Sequence, residues 1–226
     1  MNSIINKDDP EYVTQSENYM KYVVEHTDNV KKAYFKLFKN PNKEFTLNGY
    51  TPEEVDEILK CLYNEVEAHD ATKYLEFEFT RYRARFNPTK KEEELYKSDP
   101  DIERFMVEDY NAAWHHHYTR NPHHPKFWKW VAIKETGIYG NPLRWILLTI
   151  PRDISLEMDI VSILHMICDW EAMSIKFGGS TVKWYNTKAK EEREDMNPVT
   201  RNKVKELLEY IYNETVLDEV VEEPKS

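Results

Sequence analysis

Residues 154–177 read ISLEMDIVSILHMICDWEAMSIKF, and this stretch decides the fold because it is apolar almost all round the axis of a helix. Helices with this pattern are buried among other elements. Gly178 and Gly179 follow directly, and glycine is the residue that helix ends prefer. The sequence therefore predicts a central buried helix over 154–177 in an all-α fold.

An amphipathic helix is predicted before it, near the start of the chain. Thr14 and Glu17 have the spacing of a capping box, in which each side chain satisfies a free backbone N–H. Apolar residues then recur every three or four positions as far as about Phe38. His26 falls within this apolar stripe, so we expect it to be buried.

A second amphipathic helix begins more clearly. Thr51 is the predicted N-cap, Pro52 stands at the first helical position, and Glu54 completes a capping box. The apolar face continues through His69, and the pattern predicts that the helix runs on as far as Tyr82.

The rest of the chain is predicted to hold two more helices. One spans 102–118, and an amphipathic one lies around 204–211. The charged segment 87–100 is bounded by prolines and indicates an exposed loop. The segment 134–152 fits a buried loop, a short helix or a small hairpin. Because no linker or repeat divides the chain, we expect one domain.

Composition excludes several classes of protein. Of the 226 residues, 40% are hydrophobic and 32% are charged, and no apolar run is long enough to span a bilayer. The net charge of −10 argues against general nucleic-acid binding. The first residues do not form a secretory leader, and two cysteines make no disulfide framework. We therefore expect a cytoplasmic protein with no membrane partner.

Seven of the eight histidines form an ordered series with downstream carboxylates. Imidazole nitrogens and carboxylate oxygens are the ligands that borderline divalent metals prefer. The series predicts a metal site built from several helices, used to activate water. Its members are His26, His69 with Asp70, His115, His116, His117, His123, His124 and Asp169.

The dipeptide His69-Asp70 is the first part of this site. On a helix the two side chains point about 100° apart, so a metal lying between them can contact both. Lys73 comes four residues after His69 and returns to the same helical face, where its cation suits a phosphate oxygen or a leaving group. The alternative is a surface His-Asp pair on a capped helix.

Asp169 strengthens the prediction because it lies inside the apolar stretch. An ionised carboxylate is costly there unless it is paired or binds a metal. A buried arginine or a helix N-terminus is the alternative partner. His26 alone would more often be a satisfied core residue, but a cation would pair it with Asp169.

The third part is the histidine-rich segment from Trp114 to Pro125. Histidine has poor helix propensity, so three in a row at a helix end have no folding rationale of their own. Successive side chains point in different directions, and one or two of the three should face the site. His123 and His124 lie between prolines that restrict the backbone. An exposed surface cluster is the alternative.

This order of residues resembles the HD-domain superfamily of metal-dependent phosphohydrolases, which has an all-α fold. Residues 69–73, His-Asp-Ala-Thr-Lys, and the pair His123-His124 are similar to elements of its HD-GYP branch. The Gly-Tyr-Pro element of that branch is absent, so its cyclic dinucleotide substrate does not carry over.

The chain is more closely similar to a family of uncharacterised phage and bacterial proteins. Four segments between residues 69 and 173 carry this similarity and are specific in combination. They are an HD-x-SK-like segment (69–73), an EF-x-x-Y-like segment (78–82), an HH-x-x-x-N-x-HHP-like segment (116–125) and a CDW-x-AM-like segment (168–173).

The resemblance implies an HD-domain-like multi-helix bundle over residues 1–217, and the acidic composition of 218–226 predicts a flexible tail. It also implies a set of ligands. The primary ligands would be His26, His69, Asp70 and Asp169, while His117 (or His116), His123 and His124 would bind a second metal or contact phosphate. The chain departs from the pattern at His165, where a glutamate is expected.

The function this implies is hydrolysis of a phosphomonoester or phosphodiester in a small molecule, with a nucleotide as one candidate. One or two divalent ions (Mn, Fe, Co, Ni, Mg or Zn) would activate water. Asp70 and Lys73 are the predicted catalytic residues. The predicted substrate contacts are His116, Lys73, Arg81 and Asn121, with Arg83 and Arg85 in reserve, although most of these arginines should lie on a solvated helix face.

Two other functions fit the same residues. A metal-stabilised helical module that binds a nucleotide or a protein would need no turnover. A di-iron oxygenase would use the same histidine-rich ligand set, but would consume O₂ and need redox-active iron. The oligomeric state is not predicted.

Overall fold

The computed structural model describes residues 7–41, 44–135 and 155–220, and within these ranges all regular structure is helical. The predicted all-α class is therefore confirmed. One 3-10 helix, Ala71–Tyr74, accompanies the α-helices. The α-helices are α1 (Pro10–Phe38), α2 (Pro52–Glu67), α3 (Glu76–Phe86), α4 (Lys90–Ser98), α5 (Pro100–Tyr118), α6 (Pro125–Glu135), α7 (Ile160–Phe177), α8 (Thr181–Thr187), α9 (Lys190–Asp195) and α10 (Pro198–Tyr212).

The chain divides into two compact units. The first unit comprises Met1–Asp28 and His69–Arg120, and the second comprises Asn29–Ala68 and Asn121–Ser226. Among the helices in the described ranges, none is long and apolar enough to cross a membrane. The single domain proposed over 1–217 stays a prediction.

The first unit is built around α5. Helices α3 and α4 both pack against it, and the 3-10 helix packs against α3. A small aromatic core joins these helices to the first part of α1. Its buried members are Tyr19, Val23, Tyr82 and Ala113, with Tyr22, Phe79 and Tyr110 packed against them.

The second unit has the larger apolar core, in which α2 packs on α7. The central buried helix predicted from 154–177 is present as α7, and Ile163, Leu164 and Ile167 are fully buried in it. It begins later than predicted, at Ile160, because the Asp159 side chain accepts the Ser162 N–H as an N-cap. An apolar pattern can extend beyond the helix on its N-terminal side, whereas an N-capping side chain fixes where the helix begins.

The predicted start of the first helix needs correction. Helix α1 begins at Pro10, not at Thr14. The Asp9 carboxylate accepts the Glu11 N–H at 2.8 Å, and Pro10 occupies the first helical position, where its missing N–H costs nothing. Thr14 lies inside the helix and donates its hydroxyl to the Pro10 carbonyl. The prediction that His26 belongs to a buried stripe is confirmed, since His26 is buried within α1.

The second helix starts as predicted, and Thr51 and Glu54 form both bonds of the capping box. It does not run on to Tyr82, and this prediction was wrong. Helix α2 ends at Glu67, and Asp70 then takes a left-handed backbone with φ 55° and ψ 25°. Aspartate tolerates this conformation better than most residues, and one such residue is enough to break a helix. His69 and Asp70 therefore lie in a turn rather than on a helix.

The charged segment 87–100 is also not a loop, because it contains α4. Thr89 and Glu92 form a capping box at the start of α4, with the same spacing as the box that starts α2. Glu92 is buried and binds both terminal nitrogens of Arg83, at 2.5 and 2.7 Å. Arg83 is therefore a buried structural cation, whereas Arg81 is partly exposed and Arg85 is exposed, as predicted for most of these arginines.

The remaining predictions fall into three groups. Helix α5 and helix α10 correspond to the two helices predicted around 102–118 and 204–211. Helices α6, α8 and α9 lie where no helix was predicted. Of the segment 134–152, all but its first two residues lie outside the described residues. So does 221–226, the greater part of the predicted acidic tail.

We expect Glu92→Gln to lower the free energy of unfolding by about 3 kcal/mol, because it leaves the buried Arg83 charge without its counter-ion. Urea denaturation of both proteins measures this difference. Glu93→Gln is the matched control. The Glu93 carboxylate is next to Glu92 in the sequence, is half exposed and lies 3.8 Å from the Lys97 ammonium. Equal effects of the two substitutions would contradict the structural role of Glu92.

The same ion pair predicts a pH dependence. Burial raises the pKa of Glu92, but Arg83 and the Thr89 N–H outweigh it and hold that pKa below the ordinary value. A carboxyl with a lowered folded pKa stabilises the protein above its unfolded pKa of about 4.3 and stops doing so as pH falls through the folded pKa. The stability difference between wild type and Glu92→Gln should therefore shrink in acid. A difference that grew below pH 4 would contradict this.

Candidate metal centre

Three side chains of the first unit converge on one point. His26 comes from the buried face of α1, and His69 and Asp70 come from the turn before the 3-10 helix. All three are buried, and one ligand atom of each lies within 4.8 Å of the others. These buried His and Asp groups could hold a metal ion, as the sequence predicted.

The distances between these atoms fit a cation. The Nε2 atoms of His26 and His69 lie 3.1 Å apart, and Asp70 Oδ2 lies 3.8 Å from the first and 3.3 Å from the second. A point equidistant from three atoms with these separations is about 2.0 Å from each. Metal bonds to histidine and carboxylate are about 2.0–2.2 Å long, so the donor set and its spacing both fit a divalent ion.

Asp70 carries a negative charge in this site. Its side chain is 2% exposed, and burial raises the pKa of the carboxyl, but His69, Lys73 and His117 together hold that pKa well below its usual range. Lys73 Nζ lies 2.5 Å from Asp70 Oδ2, and its side chain is 18% exposed. The predicted proximity of Lys73 to the site is thus present, although a 3-10 turn and not an α-helical face produces it.

His117 approaches Asp70 from α5. Its Nε2 lies 3.2 Å from Asp70 Oδ1, the oxygen opposite the one that faces His26 and His69. Burial lowers the pKa of His117, while the charge and hydrogen bond of Asp70 and the hydrogen bond of Glu78 raise it above the ordinary value. Each oxygen of Asp70 therefore has at least one histidine nitrogen close to it.

Glu78 on α3 forms a second buried carboxylate behind His117. Its Oε2 lies 3.0 Å from His117 Nδ1, and its Oε1 lies 2.6 Å from His116 Nδ1. The Thr72 hydroxyl donates to Glu78 Oε2 at 2.9 Å. Burial raises the pKa of Glu78, but hydrogen bonds from His117, His116 and Thr72 hold it below the ordinary value. Of the three consecutive histidines, two thus bind the same carboxylate.

Aromatic rings surround the histidines. Tyr22 stacks on His26 with the ring planes 6° apart, and Trp114 stacks on His117 at 5.7 Å between ring centres. Tyr82 meets His117 edge-on. Because these rings exclude water, the charges of Asp70 and its neighbours interact more strongly than they would in solvent.

The other predicted ligands belong to the second unit. His123 and His165 are buried, and their ring centres lie 4.5 Å apart, while the His124 ring lies 4.2 Å from that of His123 with the planes tilted by 42°. Asp169 lies one turn after His165 on α7 and is half-buried. The second unit thus gathers three histidines, and the meeting of His26 with Asp169 stays a prediction.

The two remaining substrate contacts also stay predictions. Arg81 donates from Nε to Asp109 at 2.8 Å, and its guanidinium lies 4.0 Å above the Phe77 ring. Asn121 is buried, and its backbone carbonyl accepts the His124 N–H at 3.1 Å. The Arg81 side chain is therefore paired with Asp109 and packed on Phe77, and the Asn121 backbone takes part in a turn.

Sequence reasoning missed three residues that the structure places beside the histidines. Glu78 and Thr72 hold His117 in the first unit, and His165 lies against His123 in the second. A signal for Glu78 existed, because it stands between two phenylalanines and four residues before the buried Tyr82, on the apolar side of α3. A glutamate on that side needs polar partners.

Comparison with known proteins identifies one relationship. A model described as "Family of unknown function (DUF5662)" matches residues 15–210. No curated protein and no solved structure matches the chain.

We expect His26→Ala and Asp70→Ala each to weaken binding of Zn²⁺ or Co²⁺ by at least about 100-fold, because loss of an outer partner alone costs about 10–100-fold. Titration calorimetry on the full chain measures this. The metal should also raise the melting temperature of the wild type, since a ligand that binds only the folded state stabilises it. His115→Ala is the control, because His115 is exposed on the same histidine-rich helix. An equal loss in the control would contradict the site.

Proposed function

The chain belongs to the DUF5662 family of unknown function, and we propose that it is a metal-dependent hydrolase of phosphoester bonds in a small molecule. One observation carries this proposal. Two imidazoles and an ionised carboxylate converge within metal-ligand spacing, and a lysine lies against the same carboxylate oxygen.

The kind of metal follows from the donors. Two histidine nitrogens and one carboxylate oxygen favour Zn²⁺, Mn²⁺, Fe²⁺, Co²⁺ or Ni²⁺ over Mg²⁺, which prefers oxygen ligands alone. When bound, a divalent ion supplies activation of water and neutralisation of phosphoryl charge. His26, His69 and Asp70 would hold it, and a second ion near Asp70 Oδ1 and His117 is compatible with the same carboxylate.

Asp70 is suited to two tasks because its two oxygens face different partners. Oδ2 faces His26 and His69, and Oδ1 faces His117. Its lowered pKa keeps it ionised near neutral pH. The carboxylate can therefore serve as a ligand with one oxygen and accept a hydrogen bond with the other, which orients a nucleophilic water.

Lys73 is suited to neutralise a phosphoryl oxygen. Its ammonium lies at the edge of the buried cluster, where part of the side chain reaches solvent. A lysine ammonium is a compact charge on a flexible chain, so a phosphate can draw it away from Asp70 without disturbing the backbone. Such a cation lowers the activation barrier because it stabilises the negative charge that develops on the phosphoryl oxygens in the transition state.

The substrate class follows from charge and size. A protein with a net charge of −10 repels long polyanions, whereas one lysine beside a metal centre is enough for a single phosphate group. Trp114 is half-buried against His117 and offers a ring face for stacking. A nucleotide is therefore the substrate that we propose to test first.

We expect Lys73→Ala to keep its metal and to lose turnover by about 10²–10⁴-fold, because one charged group positioned at the reacting phosphate is removed. Activity is measured in a screen of phosphomonoesters and phosphodiesters with Mn²⁺, Co²⁺ or Ni²⁺, and metal content is measured by elemental analysis.

Lys97→Ala is the matched control, because Lys97 is exposed on α4 of the same unit. A non-enzymatic binding module would lose only ligand affinity on Lys73→Ala. Lack of hydrolysis across nucleotides by the fully metal-loaded wild type would reject the hydrolase and leave the binding module. Oxygen consumption by an iron-loaded sample would favour the oxygenase instead.

A further inference from the structure

Glu78 is a fully buried carboxylate of the first unit. Its side chain is 0% exposed, and its partners in the described part of the chain are His116, His117 and Thr72. Lysine and arginine are absent from this set. Burying a carboxylate costs several kcal/mol unless its partners donate good hydrogen bonds, so Glu78 needs the hydrogens of both imidazoles.

The geometry assigns one hydrogen of each ring. A neutral imidazole has a single N–H, and the other nitrogen has a lone pair. Both histidines turn Nδ1 towards Glu78, at 2.6 and 3.0 Å, so the hydrogen of each ring belongs on Nδ1. The lone pair of each ring is then on Nε2.

The position of the hydrogen on His117 Nδ1 affects the contact between this ring and Asp70. With its hydrogen on Nδ1, the neutral ring directs an Nε2 lone pair at Asp70 Oδ1, which lies 3.2 Å away and is also an acceptor. A bound ion can take the place of the proton through which Nε2 otherwise hydrogen-bonds to Asp70. Two acceptors at this distance repel unless a positive charge lies near both. Asp70 is compensated by Lys73 and by any ion that it binds, whereas Glu78 depends on the imidazole hydrogens. The Nδ1 hydrogen therefore stays with Glu78 when a cation occupies the site.

We propose that Glu78 is a positioning residue of the metal centre, which holds His117 with Nε2 directed at Asp70 Oδ1, where the second ion would bind. A carboxylate behind a metal-ligating histidine fixes the ring's tautomer and orientation and raises its basicity. Thr72 supports this arrangement by donating its hydroxyl to the same oxygen of Glu78 that faces His117. This inference rests on the metal centre of the proposed function and not on hydrolysis.

The test is a double-mutant cycle on Co²⁺ affinity, measured by visible absorption with the full chain. Glu78→Gln should weaken binding by about 10–100-fold in the wild type. In a His117→Ala background the same substitution should change affinity by less than about 2-fold, because Glu78 acts through that ring. In a His116→Ala background the loss should persist.

Glu76→Gln is the matched control, since Glu76 is exposed two residues earlier on α3 and pairs with Lys7. Glu78→Asp is a second variant that keeps the buried charge but withdraws it from Nδ1, and it should also weaken Co²⁺ binding. A purely structural role predicts equal losses with and without His117, and that result would overturn the proposal. Failure of the wild type to bind Co²⁺ would overturn it as well.

The outcome separates this inference from the proposed function. Coupling between Glu78 and His117 in a protein that hydrolyses no phosphoester would reject the hydrolase and support the positioning role. Hydrolysis without that coupling would reject the positioning role alone.

Discussion

The buried charge of Asp70 places a strong constraint on the first unit. A desolvated carboxylate costs several kcal/mol unless cations and donors surround it. Its compensation comes from His69 and Lys73, which flank it in the sequence, and from His117 on α5. The left-handed backbone at Asp70 turns the chain so that these groups meet at one carboxylate. The break between α2 and α3 is therefore part of the site.

Carboxylates and imidazoles alternate through this unit. Asp70 and Glu78 lie on opposite sides of the His117 ring, and His116 continues the series beyond Glu78. Such a buried polar network is stable only when each member is satisfied, so removing one member leaves the next uncompensated. A helical unit of this size can be stabilised more simply by apolar residues. Perturbed carboxyl and imidazole pKa values in one cluster are typical of functional sites.

The comparison of sequence and structure shows where local signals are sufficient. The capping box of Thr51 was recognised because an apolar periodic helix follows it, whereas the equivalent box of Thr89 was missed because the residues after it are charged. The ion pair between Arg83 and Glu92 joins α3 to α4. An ion pair between two helices leaves no periodic pattern in either of them.

The sequence by itself determined the all-α class, the buried position of His26 and α7, and the histidine and aspartate donors of the candidate site, because helix periodicity and ligand chemistry are properties of residue types. Tertiary structure decided that His69 and Asp70 occupy a turn, that Lys73 reaches Asp70 through a 3-10 helix, and that Glu78 lies behind His117. These are consequences of charge compensation in a desolvated interior. That compensation depends on distances between segments, and such distances exist only once the helices have packed.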